Sequence, residues 1–205
     1  MHSAGRYDGR MATVEQSVAP TVAGLAVCQF DADQYIAMAD AGVFANQPRV
    51  DLIGGYVVAT SPAGSDHNYV VIRFNEAFIP LAGKFRLSVQ GTLRIDERHV
   101  FDPDFMLLRP RELSYRQALP TPADAALVVE VSASSREKDE RVKLPIYAAA
   151  GIEEFWIADL ARDAIVVHRQ PKGGAYADVR EIAGDERIEP LAAPGFAVSP
   201  AELLA

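Results

Sequence analysis

Two acidic residues stand in stretches of sequence that are otherwise apolar. Asp104 follows Pro103 and directly precedes the run FMLL, and Glu130 lies inside the run ALVVEVS, 26 positions later. An ionised carboxylate is costly to bury unless it pairs with a cation or binds a metal. Two carboxylates at the ends of neighbouring strands could converge on one Mg²⁺ or Mn²⁺, which prefer oxygen ligands. On spacing alone, each acid is better explained as a strand-end residue that pairs with an arginine or faces water.

A lysine in the next helical segment could add a third group. Asp139 and Lys143 are four positions apart and therefore share one face of a helix, which Tyr147 extends. A lysine beside two metal-binding carboxylates could orient or deprotonate the attacking water and screen the charge of a phosphate. Its simpler explanation is an exposed ion pair between Asp139 and Lys143.

The elements that must position these residues can be predicted from hydrophobic periodicity. Residues 50–59 indicate a β-hairpin turning at Gly54-Gly55. Ser65 or Asp66 should cap a helix that ends at Gly83 and buries apolar residues at helical spacing, namely Val70, Val71, Phe74, Phe78 and Leu81. A short helix is expected at 35–40 behind Asp31 or Asp33, and strands are expected at 85–89, 93–95, 105–108, 126–132, 154–160 and 164–169, with an edge strand at 176–182.

The segment after Glu130 predicts a crossover unit within a mixed sheet, because a strand, a helix and a strand follow one another over residues 126–159. Ser134 and Glu137 have the spacing of a capping box for the helix, which should run to Ala150. Pro145 cannot donate a backbone hydrogen bond, so we expect the helix to kink near Arg141.

Length and composition predict one α/β domain at residues 29–205, preceded by a weakly ordered extension at 1–28. The first twenty residues lack the features of a signal peptide, no apolar run is long enough to cross a membrane, and Cys28 is the single cysteine. We therefore expect a soluble cytoplasmic protein. The net charge of −8 is unusual for a nucleic-acid binder, but residues 84–116 carry seven Lys or Arg against five Asp or Glu. That local excess permits contact with DNA.

Several strings together resemble the restriction-endonuclease-like family within the PD-(D/E)XK nuclease superfamily. They are DLIGGYVVATSPAGSDH, FDPDFMLL and VVEVSASSREKDERVKLPIYAAAGIEEFWIADL, and the resemblance covers about residues 30–200. It implies a restriction-endonuclease-like core of the α/β (α+β) class, with a mixed β-sheet flanked by helices, an N-terminal β-hairpin and an Mg²⁺ or Mn²⁺ centre.

The resemblance also assigns roles to individual residues. Asp104 matches the acid of the Pro-Asp motif and Glu130 matches the second acid, so these two would bind the metal. The superfamily lysine is expected two residues later, where Ser132 stands, and Lys143 matches the place that it takes on the following helix in this family. Asp51 matches an upstream glutamate, and His67 matches a histidine that follows the Ser-Pro loop.

These residues predict an endonuclease that hydrolyses phosphodiester bonds of DNA with the help of Mg²⁺. One alternative is a catalytically inactive, dimeric interaction module with the same fold, and another is a hydrolase of a different phosphate ester. An exposed edge strand near 164–182 would allow two copies to pair as a homodimer.

Overall fold

A computed structural model describes residues 21–22, 25–60, 64–113, 115–133 and 139–205. The predicted N-terminal extension lies mostly outside these ranges, and so does the predicted capping box at 134–137. The proposed boundary at residue 29 therefore stays a prediction. No helix in the described ranges is both long and apolar enough to cross a lipid bilayer.

The described residues form twelve strands in chain order. They are β1 Thr21–Val22, β2 Leu25–Ala26, β3 Val50–Ile53, β4 Tyr56–Ala59, β5 Arg86–Val89, β6 Leu93–Arg94, β7 Val100–Phe101, β8 Phe105–Leu108, β9 Ala125–Ser132, β10 Glu154–Asp159, β11 Ala164–Lys172 and β12 Ala175–Ala183. The helices are α1 Ala32–Asp40, α2 Ser65–Phe78, α3 Leu144–Ala149 and α4 Pro200–Leu204, together with 3-10 turns at Ile79–Leu81 and Pro122–Asp124 and a π-helical turn at Asp139–Lys143.

The main sheet has six strands in the order β12-β11-β10-β9-β8-β5. Strands β9 and β10 are parallel, and all other neighbours are antiparallel. Parallel neighbours require a crossover connection, which here includes the π-helical turn and α3. The expected fold class, a mixed sheet flanked by helices, is confirmed, and β12 is an edge strand as predicted.

A second, antiparallel sheet has the order β4-β3-β7-β6. Its hairpin, β3-β4, turns at Gly54 and Gly55, whose φ angles of 59° and 82° favour glycine. The hairpin prediction is therefore confirmed. The sequence did not predict that Leu52 of β3 pairs with Val100 of β7, which extends the hairpin into a sheet.

Side-chain alternation along β9 divides the core between the two faces of the main sheet. Leu127, Val129 and Val131 belong to one apolar cluster with α2, whereas Val128 belongs to a second cluster with Tyr147 of α3. Because successive strand residues point to opposite faces, Glu130 lies on the same face as Val128, towards α3. This strand is buried along its whole length, as its apolar sequence predicts.

The ends of two helices differ in part from the sequence prediction. Helix α2 is capped by Gly64, without a side-chain bond, so the expected cap at Ser65 or Asp66 is wrong; both residues lie in its first turn. Its α-helical part ends at Phe78 and a 3-10 turn follows, so Gly83 does not end it. Helix α1 is capped by Asp31, one of the two expected residues, whose side chain accepts from Gln34.

The segment before α3 departs from a regular helix, as Pro145 suggested. Asp139–Lys143 form a π-helical turn and α3 begins directly afterwards, with Pro145 near its N-terminus. Proline lacks the backbone N–H that an α-helix would use to bond the carbonyl of Arg141. The local widening accommodates this loss and occurs where the sequence placed a kink.

Candidate active site

Asp104 and Glu130 lie beside each other at one end of the main sheet. Phe105 pairs with Val129 in the antiparallel register of β8 and β9, so Asp104, one residue earlier, lies alongside Glu130. Asp104 is 5% exposed and Glu130 is 3% exposed. Oδ2 of Asp104 accepts a hydrogen bond from the backbone N–H of Val131 at 2.9 Å, which ties the first acid to the strand of the second.

Lys143 of the π-helical turn and Tyr147 of α3 contact Glu130 from the face of the main sheet that α3 covers. Lys143 Nζ donates to Glu130 Oε1 at 2.8 Å, and the Tyr147 hydroxyl donates to the same oxygen at 2.7 Å. The Lys143 ammonium also lies 5.6 Å from the ring centroid of Phe101. Lys143 is thus enclosed by its partners, and the exposed ion pair considered from the sequence is not what forms, since Asp139 and Lys143 are both buried.

Asp51 and Asp139 add negative charge around Lys143. Asp51 Oδ2, from strand β3, lies 3.9 Å from Lys143 Nζ and is 2% exposed. Burial lowers the pKa of Lys143, but the charges of Glu130, Asp51 and Asp139 outweigh it, so the net pKa is raised. The lysine is therefore protonated at neutral pH and provides a fixed positive charge.

His67 approaches Asp104 from the opposite face of the sheet. Its Nε2 lies 3.0 Å from Asp104 Oδ2, and it belongs to the first turn of α2. The hydrogen bond to Asp104 raises the pKa of His67. Asp104 is therefore held by His67 on one side and by the strand backbone on the other.

The two acids differ in how strongly they hold a negative charge. Burial raises the pKa of Glu130 above its usual range, and the charge of Lys143 offsets only part of this shift. Burial also raises the pKa of Asp104, but the contacts with His67 and with the Val131 N–H outweigh it, so the net pKa is lowered. Asp104 is thus the more firmly ionised of the pair.

The sequence interpretation missed Arg49 and Asp102. Arg49 Nη2 donates to the backbone carbonyl of Asp102 at 2.9 Å, and Arg49 Nη1 lies 3.8 Å from Asp104 Oδ1. Burial raises the pKa of the Asp102 side chain, with Arg49 and Lys143 acting in the opposite direction. Each residue stands two positions before a predicted site residue, Asp51 or Asp104, but neither lies in a strand, so the strand period did not indicate them.

Two further histidines and the single tryptophan lie outside this cluster. His99 contacts Asp96 in a turn at 2.9 Å. Trp156 is fully buried in the core, and its indole N–H donates to Glu154. His168 is buried against Phe155.

The donor set fits a hard divalent cation with few protein ligands. Among the described residues, no group of three or more His, Cys, Asp and Glu forms a complete metal cage. Mg²⁺, however, keeps several waters and is commonly bound through one or two carboxylates. The hydrogen bonds described above engage Oδ2 of Asp104 and Oε1 of Glu130. No hydrogen bond described above uses Oε2 of Glu130, and Oδ1 of Asp104 lies 3.8 Å from the Arg49 guanidinium.

A family comparison gives this geometry its context. The profile of the Uma2 family, described as "Putative restriction endonuclease", matches residues 32–201. The chain belongs to the Uma2 family. The match spans nearly all of the chain and confirms the resemblance drawn from its motifs. It supports a nuclease-like function for this family member.

A solved structure shares the fold. It is the crystal structure of a protein from Anabaena variabilis ATCC 29413 described as a "putative nuclease belonging to DUF820", with a TM-score of 0.65 and 14% sequence identity. The alignment covers 84% of this chain and 96% of that protein. At this identity the likeness concerns the fold. No curated protein matches this chain in sequence.

Proposed function

We propose that this Uma2 family member is a metal-dependent endonuclease that hydrolyses phosphodiester bonds of DNA. The observation that carries the proposal is the convergence of Asp104, Glu130 and Lys143 at one end of the sheet, with Lys143 Nζ 2.8 Å from Glu130. Asp104 directly precedes β8, Glu130 lies in β9 and Lys143 ends the π-helical turn.

Asp104 and Glu130 would hold Mg²⁺ or Mn²⁺, which when bound lowers the pKa of water and stabilises the charge of the reacting phosphate. Lys143 would contribute a fixed positive charge and orient the attacking water through its position beside Glu130. Asp51 would keep Lys143 charged and in place. His67 would hold Asp104 in the orientation that presents its second oxygen.

The first test is cleavage of supercoiled plasmid and of single-stranded DNA with Mg²⁺, with Mn²⁺ and with EDTA. We expect cleavage with either cation and none with EDTA. Asp104→Ala should lower the rate by roughly 10²-fold or more, because it removes a ligand of the metal. Glu76→Gln is a matched control, since this exposed carboxylate pairs only with Arg73 among the described residues. Equal activity of Asp104→Ala and the wild type would contradict the proposal.

A second candidate is an inactive interaction module of the same fold. Two observations favour it. The carboxylates of Asp51, Asp104 and Glu130 are all buried. Glu130 also accepts from both Lys143 and Tyr147, and a buried ion pair of this kind can be purely structural. Calorimetric titration with Mn²⁺ separates the two candidates. The nuclease should bind Mn²⁺ and lose that binding in Asp104→Ala, whereas the module should bind no cation in either form. Cleavage of bis-p-nitrophenyl phosphate without cleavage of DNA would indicate a different phosphate ester as substrate.

The remaining parts of the proposal concern the surroundings of the protein. A reducing cytoplasm is compatible with the single cysteine, Cys28. The proposed homodimer would form along β12, whose outer edge pairs with no strand among the described residues. Pairing of two copies is a common route by which a small nuclease could cut both strands of a duplex.

A further inference from the structure

Arg49 is a fixed component of the site edge, although no motif drew attention to it. It directly precedes β3, and its backbone carbonyl accepts hydrogen bonds from the Thr60 N–H at 2.7 Å and from the Thr60 hydroxyl at 3.1 Å. Its guanidinium donates to the Asp102 carbonyl at 2.9 Å. Both ends of the residue are therefore anchored, and the guanidinium is held beside Asp104.

Arg49 differs in exposure from the other cations that contact the site carboxylates. Among the described residues, the side chain of Lys143 is 7% exposed and that of His67 is 12% exposed, whereas that of Arg49 is 39% exposed. A phosphate that arrives from solvent would therefore meet Arg49 before it could reach Lys143.

Asp104 does not depend on Arg49 for its hydrogen bonds. Its Oδ2 already engages His67 and the Val131 N–H, while the closest Arg49 nitrogen is 3.8 Å from Oδ1, beyond hydrogen-bond distance. A guanidinium has five N–H donors in a planar fork that matches two oxygens of a phosphate. One of these donors is used by the Asp102 carbonyl, so the fork retains donors for an anion.

We propose that Arg49 is a further catalytic residue, which binds a non-bridging oxygen of the scissile phosphate. This inference rests on the proposed nuclease function. A preorganised cation at that position stabilises the charge that accumulates on the phosphate as the bond to the leaving oxygen breaks. Arg49 would act from the solvent side of the phosphate and Lys143 from the buried side.

Kinetic measurements on Arg49→Met and Arg49→Lys test the role. Arg49→Met should lower kcat by roughly 10²-fold to 10³-fold with a smaller change in KM, because the contact strengthens in the transition state. Arg49→Lys should recover part of kcat, since it restores the charge without the planar fork. Arg187→Met is the matched control, because the Arg187 side chain is 52% exposed, lies outside the strands and pairs with Glu202. The kcat of Arg187→Met should equal that of the wild type.

A binding measurement that needs no cleavage gives an independent readout. Fluorescence anisotropy of a labelled DNA duplex in EDTA should show that the slope of log Kd against log salt falls by about 1 in Arg49→Met relative to the wild type and Arg187→Met. A purely structural role would instead lower the thermal midpoint and leave this slope unchanged.

The outcomes distinguish this inference from the function on which it rests. If the wild type cleaves DNA and Arg49→Met keeps both its kcat and its salt slope, the role of Arg49 is refuted. If Arg49→Met does not fold, wild-type kcat in Arg49→Lys refutes it instead. If the wild type cleaves no DNA, the nuclease proposal fails, and an unchanged salt slope in Arg49→Met would then also exclude phosphate binding by Arg49.

Discussion

At the scale of single residues, the buried pair of Lys143 and Glu130 links the chemistry of the site to the stability of the protein. Both side chains are almost completely buried, and their contact of 2.8 Å compensates for the loss of water around each. A buried ion pair adds little net stability over an apolar pair of similar volume, but removal of one partner leaves the other without compensation.

Lys143→Met should therefore lower the free energy of unfolding by about 3–5 kcal/mol, because Glu130 remains buried without its cation. The double variant Lys143→Met/Glu130→Gln should recover part of this loss, since the amide can still accept the Tyr147 hydroxyl. Urea unfolding of the two single variants and the double variant measures the coupling. Lys172→Met, an exposed lysine on β11, should change stability by less than about 0.5 kcal/mol. Additive effects of the two site substitutions would show that the pair is not coupled.

At the scale of elements, the π-helical turn sets the direction from which Lys143 reaches Glu130. A π turn includes one more residue than an α turn, so it changes which side chains face the sheet. In this chain Asp139 and Lys143 both end up buried, and α3 then places Tyr147 beside Lys143 at Glu130. Pro145 favours the wider turn because an α-helix through this segment would lack one backbone donor.

Pro145→Ala restores that donor and should allow the segment to relax towards a regular α-helix. We expect Lys143 to shift relative to Glu130. The kcat for DNA cleavage should then fall by roughly 10-fold to 10²-fold, because small displacements of catalytic groups slow a reaction by such factors. The far-UV circular dichroism spectrum of the variant should match that of the wild type, which would show that the fold is kept. A matched control is Pro110→Ala, a proline between β8 and the 3-10 turn at Pro122–Asp124. An unchanged kcat in Pro145→Ala would show that the proline does not set the position of Lys143.

At the scale of the whole molecule, the main sheet ends in two edge strands, β5 and β12. Strand β12 is nine residues long, and Val179 on it is 52% exposed. A long edge strand with exposed apolar side chains can pair with a second copy of itself. The acidic net charge of −8 opposes both the association of two copies and the binding of DNA. Moderate salt should strengthen the association of two copies, because it screens their repulsion. A bound cation should strengthen the binding of DNA.

Val179→Lys should weaken a homodimer formed along β12, because it adds a charge to the pairing edge of each copy. Size-exclusion chromatography with light scattering should give a dimer for the wild type and a monomer for the variant at the same concentration. Val89→Lys on β5, the other edge, should leave the dimer intact, since Val89 is also exposed at 43%. A wild type that is monomeric at high concentration would exclude the proposed homodimer.

The sequence by itself determined most of the elements and the two acids. Strand alternation and the all-apolar run around Glu130 fix β9 in the centre of the sheet, and periodicity gives α2, because both signals come from residues close together in the chain. Asp104 and Glu130 could be recognised for the same reason: a carboxylate inside an apolar run is costly and needs a partner.

Tertiary structure alone decided what surrounds those acids. Leu52 pairs with Val100 across 48 positions, and this long-range contact brings Asp51 to Lys143 and Arg49 to Asp104. No local pattern encodes such a pairing, since it joins two strands that are far apart in the chain. Asp104 and Glu130 thus form a site with a buried lysine and an exposed arginine only because the fold brings distant strands together.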